Sequence, residues 1–312
     1  MDPIRIAIVG AGKIAVDAHL PAIAADPAFA LAALVDPRGS DQPAACFASL
    51  DALLRDGPPV DAVALCTPPQ VRAGLARQAI GAGLHVLLEK PPAAGVGEAR
   101  AIAALATPGQ SLLFAWHSRF APMVGPAQAW LAGHRLAGGS IDWKEDAHVW
   151  HPGQHWLWQA GGMGVFDPAI NALSMLTRIV AEPLAMASAR FEVPANQQAP
   201  IAASGTIACG IGGSDTGVID YALDFAHAGP PCWTMKLTRD DGTTLTLDEG
   251  GAVMTLGGGA PRRADEAEYP ALYRHFGELI AAGASDADWA PLQLVADAFL
   301  LAERTSVGPF EP

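Results

Sequence analysis

The sequence carries few positive charges. Lys and Arg number 19 against 32 Asp and Glu, for a net charge of −13, and charged residues make up only 16% of the chain. Because nucleic acids and anionic membranes are recognised through clustered positive charge, we expect neither as a partner. The hydrophobic fraction of 51% indicates a folded chain rather than a disordered one.

Cysteine and long apolar runs are also scarce. The four cysteines lie far apart and form no C-x-x-C pair. This spacing predicts free thiols, with no zinc site and no disulfide framework. The chain has no run of eighteen apolar residues, and residues 1–10 lack the pattern of a secretory signal. We therefore expect a cytoplasmic protein with no membrane span.

The first third of the chain alternates between apolar, β-rich runs and helical patterns. The predicted strands are 4–9, 31–35, 62–66, 84–88 and 112–116. Near-continuous apolar strands separated by helices predict a doubly wound parallel sheet of the Rossmann type, covered on both faces.

The second part of the chain has a different pattern. Its β-rich runs are 139–146, 184–193, 202–209, 217–227, 232–239 and 243–248, and its helical patterns are 122–132, 166–180, 270–282 and 291–304. Successive strands separated by turn signals predict an α+β domain with an open, largely antiparallel sheet. The predicted division is a dinucleotide-binding domain over 1–118 and a second domain over 119–312.

A glycine-rich turn follows the first predicted strand. Gly10 and Gly12 belong to a G-x-G-x-x-A pattern that continues through Lys13 and Ile14 into a helix. Gly10 permits a tight turn, and Gly12 lets backbone approach a pyrophosphate at the helix N-terminus. A βα turn with incidental glycines is the alternative. Asp36 at the end of the second strand favours dinucleotide binding, because a carboxylate there accepts hydrogen bonds from the adenosine ribose.

The choice of dinucleotide depends on two residues. Asp36 favours NAD, because a carboxylate repels a 2′-phosphate. Arg38 follows two residues later. It is either a solvated arginine or a guanidinium that binds such a phosphate. We expect NAD to be used, with NADP tolerated.

Three sequence stretches in this first domain carry a family resemblance. VGAGKIA at 9–15, CTPP at 66–69 and GLHVLLEKP at 83–91 resemble the glucose–fructose oxidoreductase / inositol dehydrogenase (Gfo/Idh/MocA) family. The resemblance implies that Lys90 contacts both substrate and nicotinamide, that Thr67 and Glu89 lie at the cofactor, and that Pro91 follows a cis peptide. The family usually has His where this chain has Arg72, to which we attach no role.

The resemblance continues in the second domain with GGMGVFDPAIN at 161–171. It implies that Asp167 and Asn171 reach the substrate, since residues four apart share one helix face. The local alternative makes Asp167 an N-cap followed by Pro at the first helical position. The family usually has His where Asn171 stands. Asn is no base near neutral pH, so the base is Asp167 or Lys90 and Asn171 orients a hydroxyl.

A loop rich in Trp and His lies before that helix. With the Asp/Asn pair, WKED at 143–146 and VWHPGQ at 149–154 resemble the D-galactose / L-arabinose 1-dehydrogenase branch of the family. The tryptophans of this loop either pack their indole faces against sugar C–H groups or belong to the hydrophobic core. We predict that Glu145, His151 and His117 bind the sugar. Because Pro152 and Gly153 interrupt the spacing between His151 and His155, we expect no metal.

These features together predict an NAD(P)-dependent oxidoreductase that converts C1 of an aldopyranose to the aldonolactone. Asp167 would take the hydroxyl proton, and Lys90 would stabilise the developing charge on oxygen. The family implies a homodimer or larger homo-oligomer that pairs through the open sheet. Two alternatives stay open: another sugar or polyol dehydrogenase or keto-sugar reductase of the family, or a non-catalytic nucleotide-sensing protein. Retention of Lys90 and Asp167 disfavours the sensor.

Overall fold

The computed structural model describes residues 2–210, 217–265 and 267–312. Its contacts divide the chain into two compact units. The first unit contains Met1–His117 and Ala267–Trp289, and the second contains Ser118–Glu266 and Ala290–Pro312. This division differs from the predicted domains mainly in the segment 267–289, which joins the first unit. Tyr273 and Phe276 of that segment are fully buried, and the Tyr273 ring packs against Phe29 at 5.3 Å.

The first unit opens with alternating strands and helices, as predicted. The strands are β1 (Ile4–Val9), β2 (Phe29–Val35), β3 (Cys46–Phe47), β4 (Ala62–Leu65), β5 (His85–Glu89) and β6 (Leu112–Ala115). The helices are α1 (Leu20–Ala25), α2 (Leu50–Asp56), α3 (Pro69–Gly81) and α4 (Val96–Ala103). A π-helical turn, Ala15–His19, leads directly into α1.

These strands form a parallel sheet of six among the described residues, in the order β3-β2-β1-β4-β5-β6. This is the Rossmann order, and the fold prediction is confirmed. The strand order reverses between β1 and β4. In open α/β sheets, ligands bind beyond the carboxyl ends of the strands at this reversal. Gly10 follows β1 there, and Cys66 and Thr67 follow β4.

The second unit combines helices with a larger sheet. Its first elements are α5 (Val124–Leu131), β7 (Leu136–Lys144), α6 (Ala147–Trp150) and α7 (Phe166–Ile179). The strands that follow are β8 (Leu184–Pro194), β9 (Ala202–Cys209), β10 (Gly217–Asp224), β11 (Cys232–Arg239), β12 (Thr244–Asp248), β13 (Val253–Leu256) and β14 (Arg262–Arg263). Helix α8 (Glu268–Ala282) belongs to the first unit, and α9 (Ala290–Leu301) and β15 (Glu303–Val307) complete the second.

The second sheet has nine strands among the described residues, in the order β14-β13-β12-β11-β7-β10-β9-β8-β15. Two of its pairs, β7 with β10 and β8 with β15, are parallel, and the others are antiparallel. The prediction of a largely antiparallel open sheet is confirmed. In the described ranges, no helix has the length and apolar character that crossing a membrane requires.

Helix α7 is fixed to this sheet by aromatic side chains at its start. The Phe166 ring lies 5.3 Å from that of Phe191 on β8 and 5.8 Å from that of Phe299 on α9. Because Phe166 is fully buried, the first turn of α7 has a fixed position. Asp167 follows Phe166 in that turn.

Candidate functional site

The glycine turn after β1 has the shape that a dinucleotide requires. Gly10 has a φ of +94°, and a Cβ on it would lie 3.0 Å from backbone atoms of Cys66 and Thr67, so a side chain does not fit. Gly12 has no atom within 4 Å of the place a Cβ would take. Open space beside an exposed backbone is what a pyrophosphate needs for close approach. The residues present therefore fit the predicted cofactor.

Asp36 lies next to this turn. Its carboxylate accepts hydrogen bonds from the backbone N–H groups of Ala11 at 3.1 Å and Arg38 at 2.9 Å. Burial raises the pKa of Asp36, but the hydrogen bonds from Arg38 and Ala11 together lower it by more than burial raises it. The net shift of the pKa is therefore downward. The Arg38 side chain also donates to this carboxylate, from Nε at 3.3 Å and from Nη2 at 3.5 Å. These two bonds are long and come from an exposed side chain, so ribose hydroxyls can take their place on the carboxylate oxygens. The Arg38 side chain is 82% exposed and lies 3.3 Å from Asp36.

The other residues predicted near the cofactor differ in their surroundings. Lys13 is exposed and pairs with Asp17 one helical turn away. Ile14 is 37% exposed, at the start of the helix. The Thr67 hydroxyl is buried and, among the described residues, has no hydrogen-bond partner. Of these three, Thr67 alone presents a buried polar atom at the strand-order reversal.

Glu89 ends β5 and holds the turn that presents Lys90. One carboxylate oxygen accepts the Lys90 backbone N–H at 2.8 Å. The other accepts the Tyr269 hydroxyl at 2.7 Å and a hydrogen bond from His19 at 3.1 Å. The peptide between Lys90 and Pro91 is cis. Both oxygens of Glu89 have partners inside the first unit, so this carboxylate supports the turn at Lys90. Its predicted place at the cofactor stays a prediction.

The charges around Glu89 are balanced within the same network. Burial raises the pKa of Glu89, but the hydrogen bond and charge of His19, the charge of His117 and the Tyr269 hydroxyl lower it to about 2. His19 is fully buried at the end of the π-helical turn, and its Nδ1 lies 2.8 Å from the Tyr273 hydroxyl. The Glu89 carboxylate is therefore the ionised centre of a buried cluster.

Arg72 is a residue whose role the sequence did not reveal. It lies on α3, is 2% exposed, and donates from its guanidinium to the backbone carbonyls of Glu89, Pro91 and Thr67. The carbonyls of Glu89 and Pro91 lie on either side of Lys90. Arg72 therefore clamps the backbone that carries the lysine. The available signal was its position, where the family usually has His.

His117 also belongs to the first unit. Its Nδ1 lies 2.5 Å from the Glu268 carboxylate, and its ring stacks on Tyr269 with centroids 5.2 Å apart. Burial lowers the pKa of His117, but the Glu268 carboxylate and Glu89 raise it more, and the net shift is upward. An imidazolium paired with a carboxylate is a hydrogen-bond donor. The structure thus places His117 beside the residues that support Lys90.

In the second unit, Asp167 lies inside the first turn of α7 and does not cap it. The N-cap is Val165, which makes no side-chain capping bond, and the Asp167 N–H donates to Gly164 O at 2.9 Å. Gly164 has a φ of +53°, and a Cβ there would lie 2.2 Å from Pro200 O. The capping alternative from the sequence is therefore wrong. The Asp167 side chain is 3% exposed.

His151 lies beside Asp167, and the short capped helix that follows β7 places it there. Asp146 accepts the His148 N–H at 2.9 Å and so caps the short helix α6. The helix ends at Trp150, and His151 is its C-cap, before Pro152 and Gly153. The ring places Nδ1 3.8 Å from Asp167 Oδ2 and Nε2 3.1 Å from Glu145 Oε1.

Glu145 was predicted to bind substrate, and the structure surrounds it with protein partners. It is 4% exposed, and its second oxygen accepts the Trp233 indole N–H at 2.7 Å. Trp233 was not identified from the sequence, because it lies on β11, far along the chain. Asn171 follows Asp167 by one turn of α7, as the spacing predicts, and is partly exposed.

One tryptophan of the loop rich in Trp and His is exposed, and another lies in the core. Trp150 is 42% exposed and meets Trp233 edge to face at 4.9 Å, and Trp143 stacks on Trp233 at 6.2 Å. Trp158 is buried and stacks on Phe225 at 5.6 Å. The core alternative therefore holds for Trp158, whereas Trp150 offers an open aromatic surface.

Comparison with known proteins adds to this geometry. The Gfo/Idh/MocA family, described as an oxidoreductase family with an NAD-binding Rossmann fold, matches residues 4–116. The chain is 46% identical over 313 aligned residues to the galactose 1-dehydrogenase of Pseudomonas fluorescens, covering 99% of each. The chain belongs to the Gfo/Idh/MocA family. It is therefore an oxidoreductase whose first unit is a Rossmann domain of the NAD-binding kind.

Comparison with solved structures extends the similarity to the second unit. A D-galactose-1-dehydrogenase protein from Rhizobium etli is 43% identical, covers 100% of this chain and 99% of its own, and has a TM-score of 0.92. A 3-ketoreductase from Actinomadura kijaniata has a TM-score of 0.82 at 19% identity, covering 98% of this chain and 99% of its own. At that identity the ketoreductase shows a shared fold only.

Proposed function

We propose that the chain oxidises C1 of an aldopyranose of the D-galactose or L-arabinose type to the aldonolactone, with hydride transfer to NAD or NADP. The observation that carries the proposal is the 46% identity to a galactose 1-dehydrogenase over 99% of both chains. The buried carboxylate of Asp167 and the supported turn at Lys90 are consistent with this chemistry. Both are groups that a nucleotide sensor does not need.

The dinucleotide would be held by the turn at Gly10 and Gly12 and by Asp36. When bound, its nicotinamide supplies the acceptor for the hydride from C1. The protein's own residues manage the proton. Asp167 would take it from the anomeric hydroxyl, and the Lys90 ammonium would stabilise the negative charge that develops on that oxygen.

Other side chains would select the sugar. Asn171 would orient a hydroxyl, since its amide both donates and accepts hydrogen bonds. The exposed face of Trp150 would pack against the apolar side of the ring. His117, with its raised pKa, would donate to a sugar oxygen. Glu145 would act on His151 rather than on the sugar, because both of its oxygens have protein partners.

A substrate panel tests the proposal. The purified protein is mixed with NAD+ or NADP+ and with D-galactose, L-arabinose, their epimers and a set of polyols, and reduced nicotinamide is followed by absorbance. Hydroxylamine trapping identifies the lactone. We expect aldoses to be oxidised and polyols to be inert. Oxidation of polyols would favour another chemistry of the family, and binding without any oxidation would favour the sensor.

The cofactor preference has its own test. Asp36→Ala removes the ribose acceptor and the charge that repels a 2′-phosphate, and it frees the Arg38 guanidinium. We expect the ratio of NADP to NAD affinity to rise by about tenfold or more, the scale of one hydrogen bond to a charged group. Asp41→Ala, an exposed carboxylate further along the same segment, is the matched control. An unchanged ratio would contradict the role of Asp36.

We also propose that the second sheet pairs two copies of the chain. Strand β10 alternates buried and exposed residues at its start, and Val218 on the outer side is 47% exposed. One face of the sheet is thus available to a partner. Sedimentation equilibrium at micromolar concentration is expected to give a dimer or a larger oligomer, and a monomer would contradict the proposal.

A further inference from the structure

His151 lies between two buried carboxylates in the second unit. We propose that His151 receives the proton that Asp167 takes from the sugar, and that Glu145 is the positioning residue that fixes the ring for this task. The inference rests on the proposed function, because it assigns the next step of the proton from Asp167. It differs from a role for His151 in holding a sugar hydroxyl.

The contacts of Glu145 determine which ring nitrogen of His151 carries hydrogen. Glu145 Oε1 lies 3.1 Å from His151 Nε2, and Oε2 accepts the Trp233 indole N–H at 2.7 Å. A carboxylate only accepts hydrogen bonds. Nε2 therefore carries a hydrogen, and in the neutral form of the ring the lone pair is on Nδ1.

That lone pair faces Asp167. His151 Nδ1 is buried, has no hydrogen-bond partner among the described residues, and lies 3.8 Å from Asp167 Oδ2. Once Asp167 has taken a proton, Oδ2–H becomes a donor opposite an acceptor. Contacts of this kind are often long in the free protein and shorten when substrate is bound.

The transfer is balanced at each atom. The O–H bond of the protonated Asp167 breaks as an N–H bond forms at His151 Nδ1, and the Asp167 carboxylate is regenerated. The ring becomes an imidazolium, whose charge Glu145 stabilises from the Nε2 side. Asn171, on the same face of α7 as Asp167, has no atom that accepts this proton near neutral pH.

The surroundings of His151 favour this use. The titratable groups that face its ring in the described part of the second unit are Glu145, from the end of β7, and Asp167, from α7. On another side lies the Phe225 ring, after β10, with centroids 5.1 Å apart. The ring thus contacts one apolar side chain and two carboxylates. Its Nδ1 is the nitrogen that remains able to accept a proton.

The kinetic test uses His151→Gln, whose amide N–H replaces the Nε2–H donor to Glu145 but offers no group that holds the proton. We expect kcat to fall by about 10²-fold, the lower end for loss of an acid–base group, with little change in KM. A ring that already holds a proton cannot accept another from Asp167, so the inferred transfer gives the wild type an acid limb in kcat. The variant is expected to lack that limb.

His155→Gln is the matched control, since His155 lies four residues along the same loop and is exposed. We expect it to retain wild-type kcat and pH profile. If His151→Gln raises KM and leaves kcat and the acid limb unchanged, His151 only binds the sugar and the inference is overturned. An unchanged KM, kcat and pH profile would overturn it as well.

A second measurement needs no turnover and no variant of His151. In protein labelled with 15N-histidine, NMR in the absence of sugar is expected to show His151 as the Nε2–H tautomer. A Nδ1–H tautomer would overturn the inference. The Nε2–H tautomer without oxidation of any aldose would refute the proposed function alone.

Discussion

Around Lys90, the first unit places Glu89 and Arg72, which hold the backbone on both sides of the lysine through hydrogen bonds to buried partners. In the second unit, His151 Nδ1 lies 3.8 Å from Asp167 Oδ2, beyond hydrogen-bond distance. The first region fixes the backbone that carries its candidate residue. The second region places an imidazole beside its candidate carboxylate without a hydrogen bond between these two groups.

This difference follows from what each residue would have to do. A cation that stabilises charge works best when its position is fixed in advance, because preorganised charge needs no rearrangement during reaction. A base must gain a proton and pass it on, so it needs an acceptor nearby whose geometry tightens only when the proton arrives. The predictions below test this comparison, beginning with the largest effect.

The strongest test of the second region is Asp167→Asn. The structure places Asp167 inside the first turn of α7, with Val165 as the N-cap, so loss of a cap does not complicate the result. We expect kcat to fall by about 10²–10⁴-fold, the scale for removing a general base, while unfolding is little changed. Glu303→Gln, an exposed carboxylate of the same unit, serves as control. Near-normal turnover would mean that Lys90 is the base.

The corresponding test of the first region is Lys90→Ala. We expect kcat to fall by about 10²–10³-fold, the cost of losing one group that stabilises a developing oxyanion. Dinucleotide affinity, measured by fluorescence of the bound reduced form, is expected to persist because the glycine turn and Asp36 are untouched. Lys236→Ala, an exposed lysine on β11, is the control. Loss of dinucleotide binding in step with kcat would contradict the role assigned to Lys90.

The fold was largely predictable from the sequence because the strands of the first sheet are near-continuous apolar runs and those of the second are separated by turn signals. The edges were not. Strand β14 has only two residues, both exposed arginines. Strand β15 begins at Glu303, inside the predicted helix 291–304. Neither carries a hydrophobic pattern. Helix α8 belongs to the first unit because Tyr273 and Phe276 pack against Phe29. These residues are far apart in the sequence, and no local pattern predicts their contact.

The site shows the same division. Gly10, Asp36, Lys90 and Asp167 belong to short motifs in which spacing and chemistry coincide, so the sequence alone could predict a role for them. Residues that support them left weaker traces. His19, Arg72, Tyr269 and Trp233 act through contacts between elements that are far apart in the chain, and such contacts depend on the packed structure.

Acid titration tests the charge at the centre of the first region. The pKa of Glu89 is lowered from 4.5 to about 2. A lowered pKa means that the stabilisation is complete above pH 4.5 and is lost as pH falls toward 2. The shift corresponds to about 3 kcal/mol. We expect urea unfolding of wild-type protein to lose this amount over that window, relative to Glu89→Gln. Parallel pH profiles of the two proteins would show that Glu89 is not the buried charge.

The smallest expected effect belongs to Arg72→Lys, and it tests whether the backbone at Lys90 needs a fixed clamp. A guanidinium reaches the carbonyls of Glu89, Pro91 and Thr67 from a planar fork, whereas an ammonium keeps the charge but not this geometry. We expect unfolding free energy to fall by about 1–3 kcal/mol, the cost of a buried acceptor left without its donor. We expect kcat to fall by less than tenfold, with unchanged dinucleotide affinity. Arg77→Lys, an exposed position on the same helix, should change neither quantity. If Arg72→Lys leaves both stability and kcat at wild-type values, the rigidity of the first region does not depend on this clamp, and the contrast with the region of Asp167 must rest on Glu89 alone.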